Sequence, residues 1–244
     1  MNAPSNADAN QRLIVALDFG SAHQALELVD RLEGTCHWFK VGMELYYAAG
    51  LKFVEALRKK DLNVFLDLKL HDIPNTVAGA VRSVSQAGAS LLTVHASGGE
   101  AMMTAAAEAA NTPGAPRLLA VTVLTSMDAG ELAGVGVMDT PAGQVLRLAR
   151  LAQTAGINGM VCSASEVATL RHQLGPDTWL VTPGIRAEED AAGDQRRVAT
   201  ADAAIGLGAS QLVVGRPITR AIRPAAAARK FLNEITQASS LKTL

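Results

Sequence analysis

The stretch Val64-Phe65-Leu66-Asp67-Leu68-Lys69-Leu70-His71-Asp72 carries charges inside a run otherwise fit for burial. Strand side chains alternate in direction, so Asp67 and Lys69 share one face and Leu66, Leu68 and Leu70 share the other. The aliphatic face must pack against helices. The charged pair then has one natural location, the interior of a barrel.

Working outward, runs of the same near-continuously apolar character occupy residues 13–18, 38–42, 64–69, 91–95, 118–124, 159–162, 179–182 and 211–215. Such runs are expected of parallel strands covered on both sides. Alanine-rich helical stretches separate or follow them at residues 22–32, 44–59, 75–87, 100–110, 141–155, 165–174, 200–206 and 217–235. Ser163 to Glu166 has capping-box spacing, and Pro141 and Pro217 suit a first helical turn, where a missing N–H is harmless. Eight strand–helix pairs predict an α/β fold, a single (β/α)8 TIM barrel over residues 11–237, with tails at 1–10 and 238–244. A doubly wound open sheet is the rival, but no Gly-x-Gly-x-x-Gly follows Asp18 to open the first helix.

The composition agrees with one such domain: 244 residues, 49% hydrophobic and 18% charged, can bury a single large core. The net charge of −1, from 22 basic and 23 acidic residues without a long single-sign run, offers no field for nucleic acid or an anionic membrane. A small-molecule partner is expected. The N-terminus lacks the basic start and apolar stretch of a secretory signal, and no apolar run reaches the length of a membrane span. Cys36 and Cys162 lie far apart and match no metal spacing, as expected of reduced thiols in a cytoplasmic protein.

In a barrel of this kind the chemistry sits at the carboxyl ends of the strands. The polar residues expected there are Asp18, Lys40, Asp67, Lys69, Asp72, His95, Thr125, Ser126, Arg186, Gln195 and Arg216. One Asp–Lys pair in such a place is as readily structural as functional. Lys40, however, interrupts Trp38-Phe39-Lys40-Val41-Gly42 at the matching end of the second strand, and Asp72 follows the third. Four charges of alternating sign at one mouth are costly to desolvate and point to a functional array. A lysine flanked by carboxylates is held as an ammonium, which makes Lys69 a proton donor and not a Schiff-base amine. That suits a reaction in which negative charge develops on carbon and is then protonated.

Gly215-Arg216-Pro217, alone, reads as a strand-to-helix turn; after an eighth strand it fits a phosphate site, with Gly215 allowing close backbone approach and Arg216 a forked donor. His71 and His95 stay outside the catalytic set, His95 as a structural hydrogen-bonding residue. His23, His37 and His172 show no metal spacing. Met102 and Met103 are expected to pack on a helix.

The string Asp67-Leu68-Lys69-Leu70-His71-Asp72-Ile73-Pro74-Asn75-Thr76 resembles the signature of the orotidine 5′-phosphate decarboxylases of bacterial pyrimidine biosynthesis. The resemblance extends to Ala16-Leu17-Asp18, Lys40-Val41-Gly42, Val94-His95-Ala96-Ser97-Gly98-Gly99 and Leu124-Thr125-Ser126-Met127. It continues through Thr182-Pro183-Gly184-Ile185-Arg186, Gly193-Asp194-Gln195-Arg196-Arg197 and Val214-Gly215-Arg216-Pro217. It implies cofactor-free, metal-free conversion of orotidine 5′-phosphate to UMP and CO2, the last step of de novo UMP synthesis. By the same resemblance Lys69 protonates the C6 carbanion and Lys40 and Asp67 complete its charged network. Asp72 enters that network from the other subunit of a homodimer, together with Thr76. Asp18 and Lys40 match ribose contacts, Thr125 and Ser126 the pyrimidine region, and Arg186, Gln195, Gly215 and Arg216 the phosphate site. Ile73 and Pro183 lie in the same blocks as further substrate contacts, and residues 184–197, long and polar with Glu188, Glu189 and Asp190, are expected to be a closing loop.

Two alternatives stand beside this. Sugar-phosphate decarboxylases and aldolase-like synthases share Asp-x-Lys-x-x-Asp but stabilise an enediolate with a divalent metal. A non-catalytic nucleotide-binding barrel would keep Asp18, Gln195 and Arg216 without needing the four-charge array.

Overall fold

Eight parallel strands pair in sequence order and close into a barrel, β8 returning to β1, in a computed structural model that describes residues 9–186 and 199–240. They are Leu13–Ala16 (β1), Trp38–Gly42 (β2), Asn63–Leu70 (β3), Leu91–His95 (β4), Arg117–Val121 (β5), Gly159–Val161 (β6), Trp179–Thr182 (β7) and Gln211–Val214 (β8). Helices connect them and cover the outside, so the expected (β/α)8 barrel is the fold.

Alternation along the strands divides the core into two parts. Leu13, Val15, Phe39, Val41, Val64 and Leu66 belong to the large cluster that includes the buried helix faces. Ile14, Ala16, Trp38, Phe65, Leu91, Leu119, Trp179, Val181 and Val213 form a second cluster filling the barrel. Each such aliphatic or aromatic side chain, fully buried, contributes about 1.5–3 kcal/mol. Because Trp38 and Phe65 point inward, so do Lys40 and Asp67 two residues later.

The amino-terminal end of the barrel is closed by neutral polar pairs. Trp38 Nε1 donates to Gln11 Oε1 at 2.8 Å, Trp179 Nε1 to Gln211 Oε1 at 2.9 Å, and Gln211 Nε2 to the Gln11 carbonyl at 2.8 Å. The Arg117 guanidinium lies 4.4 Å from the centre of the Trp179 ring, in cation–π contact.

Several boundaries differ from the sequence reading. The helix expected over 44–59 is two, Met43–Ala49 and Leu51–Arg58, because Gly50 between them adopts φ 66°. The helix expected over 217–235 is also two, Arg216–Thr219 and Pro224–Ser240. Pro224 cannot continue a preceding helix and starts a new one. That second helix runs beyond residue 237, and the buried Ser239 hydroxyl accepts from Arg12 Nη1 at 2.8 Å, so residues 238–240 belong to the barrel and not to a tail. At the other end Ala9–Gln11 forms a 3₁₀ turn, which draws residues 9 and 10 into the fold. The remainder of the expected tails lies outside the described residues.

β1 and β5 stop at Ala16 and Val121, earlier than expected, releasing Asp18 and Thr125 into loops above the barrel. An unforeseen helix, Ala129–Gly134, follows β5, set by a capping box between Asp128 and Glu131. The capping box expected at Ser163 is present, its N–H donating to Glu166 Oε2 at 2.8 Å. Met102 and Met103 are buried on a helix as expected. Among the described residues, no helix is long and apolar enough to cross a membrane.

Candidate active site

Four charged side chains form one alternating chain at the carboxyl end of the barrel. Lys40 Nζ, rising from β2, lies 3.0 Å from Asp18 Oδ1 and 3.8 Å from Asp67 Oδ2. Asp67 Oδ1, from β3, lies 2.9 Å from Lys69 Nζ. The two lysines are therefore held apart by the carboxylate between them, and each carboxylate faces at least one ammonium. Gly42 makes room for this arrangement: a Cβ there would stand 3.0 Å from Lys40 Nζ and 3.5 Å from Asp18 Oδ1.

Lys69 does not follow simple strand parity. Its φ is +53°, and the pairing of β3 with β4 shifts register between Leu66 and Leu70. Among the described residues, two other non-glycine residues have positive φ, Glu33 and Asp61, both in exposed turns; Lys69 alone of the three lies within a strand. Its conformation is secured by Thr93 on β4. The Thr93 hydroxyl accepts from the Lys69 N–H at 2.8 Å and donates to Asp67 Oδ1 at 3.0 Å, with Thr93 fully buried. Thr93 escaped the sequence reading; the available signal was a lone hydroxyl in the aliphatic run Leu91-Leu92-Thr93-Val94.

These charges line a cavity of about 280 Å³. Asp18, Lys40, Asp67 and Lys69 line it together with Pro183, Arg186, Gly215 and Arg216. Thr125 reaches the rim, and Phe65, Val121 and Val213 supply an apolar floor. The helix after β8 is only the four residues Arg216–Thr219, so a macrodipole adds little, and attraction for an anion here falls mainly to Arg186 and Arg216. Cys162, also unforeseen at the wall, is an inert group: burial pushes its thiol up to about 12, and its Sγ sits 4.0 Å from the Thr182 hydroxyl.

Asp72, Ile73, Thr76 and Ser126 are exposed and lie outside this lining. Asp72 Oδ1 accepts from the Ile73 N–H at 2.6 Å at the entry to helix Pro74–Gln86, and Ile73 is 66% exposed. Gln195 and most of the expected closing loop, residues 187–198, lie outside the described residues.

His95 departs from its expected structural role. Its buried Nδ1 has no hydrogen-bond partner among the described residues. The ring instead rests against His71, centroids 5.4 Å apart. Burial lowers its pKa, with His71 and Lys69 adding to the effect and Asp67 opposing it, which keeps the ring neutral beside the lysine. A larger, open groove of about 660 Å³ lies among helix ends around β5 and β6, but its only charged lining residues are Glu108 and Arg117.

The arrangement combines a cationic wall for a phosphate-like anion, a rim and apolar floor suited to a flat ring, and a fixed ammonium beside a carboxylate. It can stabilise, and then protonate, a carbanion formed between those elements.

Comparison with known proteins agrees with the geometry. Residues 11–231 match the model of the "Orotidine 5'-phosphate decarboxylase / HUMPS family". The chain is 50% identical over 225 residues to the orotidine 5′-phosphate decarboxylase of Chromobacterium violaceum, covering 92% of this chain and 91% of that one. It is 46% identical over 230 residues to the enzyme of that name from Vibrio vulnificus, covering 93% and 99%. Among solved structures, the orotidine 5′-phosphate decarboxylase of Lactobacillus acidophilus superposes with a TM-score of 0.82 at 39% identity, over 92% of this chain and 99% of that one.

Proposed function

Since the chain belongs to the orotidine 5′-phosphate decarboxylase / HUMPS family, we propose that it converts orotidine 5′-phosphate to UMP and CO2 without a cofactor, with Lys69 as the acid. The observation that carries this reading is the unbroken chain Asp18–Lys40–Asp67–Lys69 at the cavity wall.

The C6–carboxylate bond breaks, CO2 departs, and the electron pair remains on C6, where the ring delocalises it poorly. Stabilisation must then come from fixed charge. An ammonium about 4 Å from a carbanion attracts it by about 4 kcal/mol at an effective dielectric near 20, and by more once water is excluded. Lys69 Nζ–H next donates its proton to C6, giving UMP, and the amine recovers a proton from solvent. Asp67 holds the ammonium on the cavity side and, beside the substrate carboxylate, disfavours the ground state. Asp18 and Lys40 take the ribose hydroxyls, Thr125 and Pro183 the pyrimidine, and Arg186, Gln195, Gly215 and Arg216 the phosphate. Phosphate binding, remote from C6, supplies binding energy that contributes to the transition state.

The active unit in this reading is a homodimer in the cytoplasm. Asp72, Ile73 and Thr76, exposed and unused by their own cavity, complete the site of the other subunit. An apolar side chain as exposed as Ile73 beside a carboxylate supports a covered surface there. The metal-dependent alternative fits less well, because Lys40 already bridges Asp18 and Asp67, the carboxylates that would otherwise face a cation.

The test is the loss of orotidine 5′-phosphate absorbance with purified protein. Turnover that survives EDTA is expected; an inert wild type, or a strict Mg²⁺ requirement, overturns the reading. Mixing Lys69→Ala and Asp72→Ala chains is expected to restore part of the activity, and no recovery would rule out the shared site.

A further inference from the structure

We infer that Thr93 is a positioning residue for the reaction, fixing both the backbone of Lys69 and the rotation of the Asp67 carboxylate; the inference rests on the decarboxylase reading above. The pairing register carries the first step. Leu66 faces Leu92 and Leu70 faces Val94, so the three residues from Asp67 to Lys69 stand opposite the single residue Thr93. A regular ladder cannot satisfy that surplus of backbone. The Lys69 N–H turns to the Thr93 hydroxyl at 2.8 Å, in keeping with its φ of +53°.

The second step follows from donor and acceptor inventory. A backbone N–H can only donate and an ionised carboxylate can only accept. The Thr93 hydroxyl, occupied as acceptor by Lys69, therefore directs its one proton to Asp67 Oδ1 at 3.0 Å. That same oxygen meets Lys69 Nζ at 2.9 Å, while Oδ2 faces Lys40 at 3.8 Å. One buried hydroxyl thus decides which carboxylate oxygen serves which lysine. Thr93 is not itself among the residues lining the cavity, and Lys40 keeps its closer contact to Asp18 at 3.0 Å, so loss of the hydroxyl should misplace the acid while changing substrate binding little.

Thr93→Val keeps the shape and removes both hydrogen bonds; Thr93→Ser keeps the hydroxyl. Misplacement of a reacting group by about 1 Å costs about 100-fold. The expected result is a kcat about 100-fold lower for Thr93→Val with KM within about threefold, and a kcat within about threefold of wild type for Thr93→Ser. The inference is overturned if Thr93→Val keeps a kcat within about threefold of wild type, or if Thr93→Ser falls as far as Thr93→Val. Should Thr93→Val fail to fold, or wild type prove inert on orotidine 5′-phosphate, hydrogen exchange of the Lys69 amide in wild-type protein labelled with ¹⁵N-lysine decides instead. Core-like protection supports the Thr93 bond, and exchange as fast as in exposed turns overturns it. Wild-type inertness by itself counts against the decarboxylase reading alone.

Discussion

At the amino-terminal end of the barrel, Trp38 and Trp179 hand their indole N–H groups to Gln11 and Gln211, and Arg117 stacks on Trp179. At the carboxyl end, Lys40 and Asp67 stand two residues further along the strands that carry Trp38 and Phe65, joined in a chain of alternating charge. The two ends share strands, inward parity and a common apolar filling. They differ in how their polar groups are satisfied. Apart from the Arg117 guanidinium stacked on Trp179, the lower end matches neutral donors to neutral acceptors and buries its rings, which is what stability requires. The upper end keeps full charges together at a desolvation cost and leaves the Lys69 side chain 27% exposed to the cavity. Within the barrel interior, pairing that serves only stability therefore lies at one end, and capacity for chemistry at the other.

Substitutions can separate the two. Lys69→Ala should give the largest effect: electrostatic stabilisation and proton donation together account for about 10⁴-fold or more in kcat. Thermal unfolding should show little change in Tm, since alanine carries the same backbone strain and Asp67 keeps Lys40 and the Thr93 hydroxyl as partners. A variant that retains most of its rate, or that melts well below wild type, would break the division. Trp179→Ala is the mirror experiment, with a loss of about 3–5 kcal/mol in denaturant unfolding and a kcat, per folded molecule, within a few-fold of wild type. A collapse of kcat in folded Trp179→Ala would show that the ends are coupled.

Gly42→Ala should act more gently. Its new methyl meets Lys40 Nζ, the end of a flexible side chain, and should push that ammonium off Asp18, lowering kcat about 10-fold, or about 1.4 kcal/mol. Unchanged kinetics would mean that the Lys40–Asp18 contact is dispensable.

The smallest effect concerns His95. Its folded pKa lies below the ordinary 6.5, chiefly through burial. Stability linked to it is present above 6.5 and is lost as pH falls through that value toward the lowered folded one, because the unfolded chain takes the proton first. His95→Gln should flatten the decline of unfolding free energy between about pH 7 and pH 5. An unaltered slope would remove His95 from the acid sensitivity of the upper end.

The barrel and the inward placement of Lys40 and Asp67 were legible because both rest on local periodicity: a charge inside an aliphatic strand has only two faces to choose between. The break at Gly50 and the restart at Pro224 also had local signals, outweighed in the sequence reading by continuous alanine-rich patterns around them. Lys69 was legible as a charge but not as a conformation. Its positive φ arises from the mismatch between two strands, and neither strand alone encodes a mismatch. Thr93 was hidden for the same reason, since its partners sit 24 and 26 residues away across that mismatch. Asp72 could be placed beyond the strand, and it stands exposed there, outside the lining of its own cavity.

The left-handed backbone of Lys69 has a consequence for anyone improving this protein. A non-glycine residue in that region costs about 1–2 kcal/mol, which glycine would not incur. Selection for heat resistance alone would therefore favour glycine at the one position where the proposed chemistry needs an ammonium. A thermostability screen run without an activity counter-screen would enrich inactive barrels, and position 69 is where to look for them first.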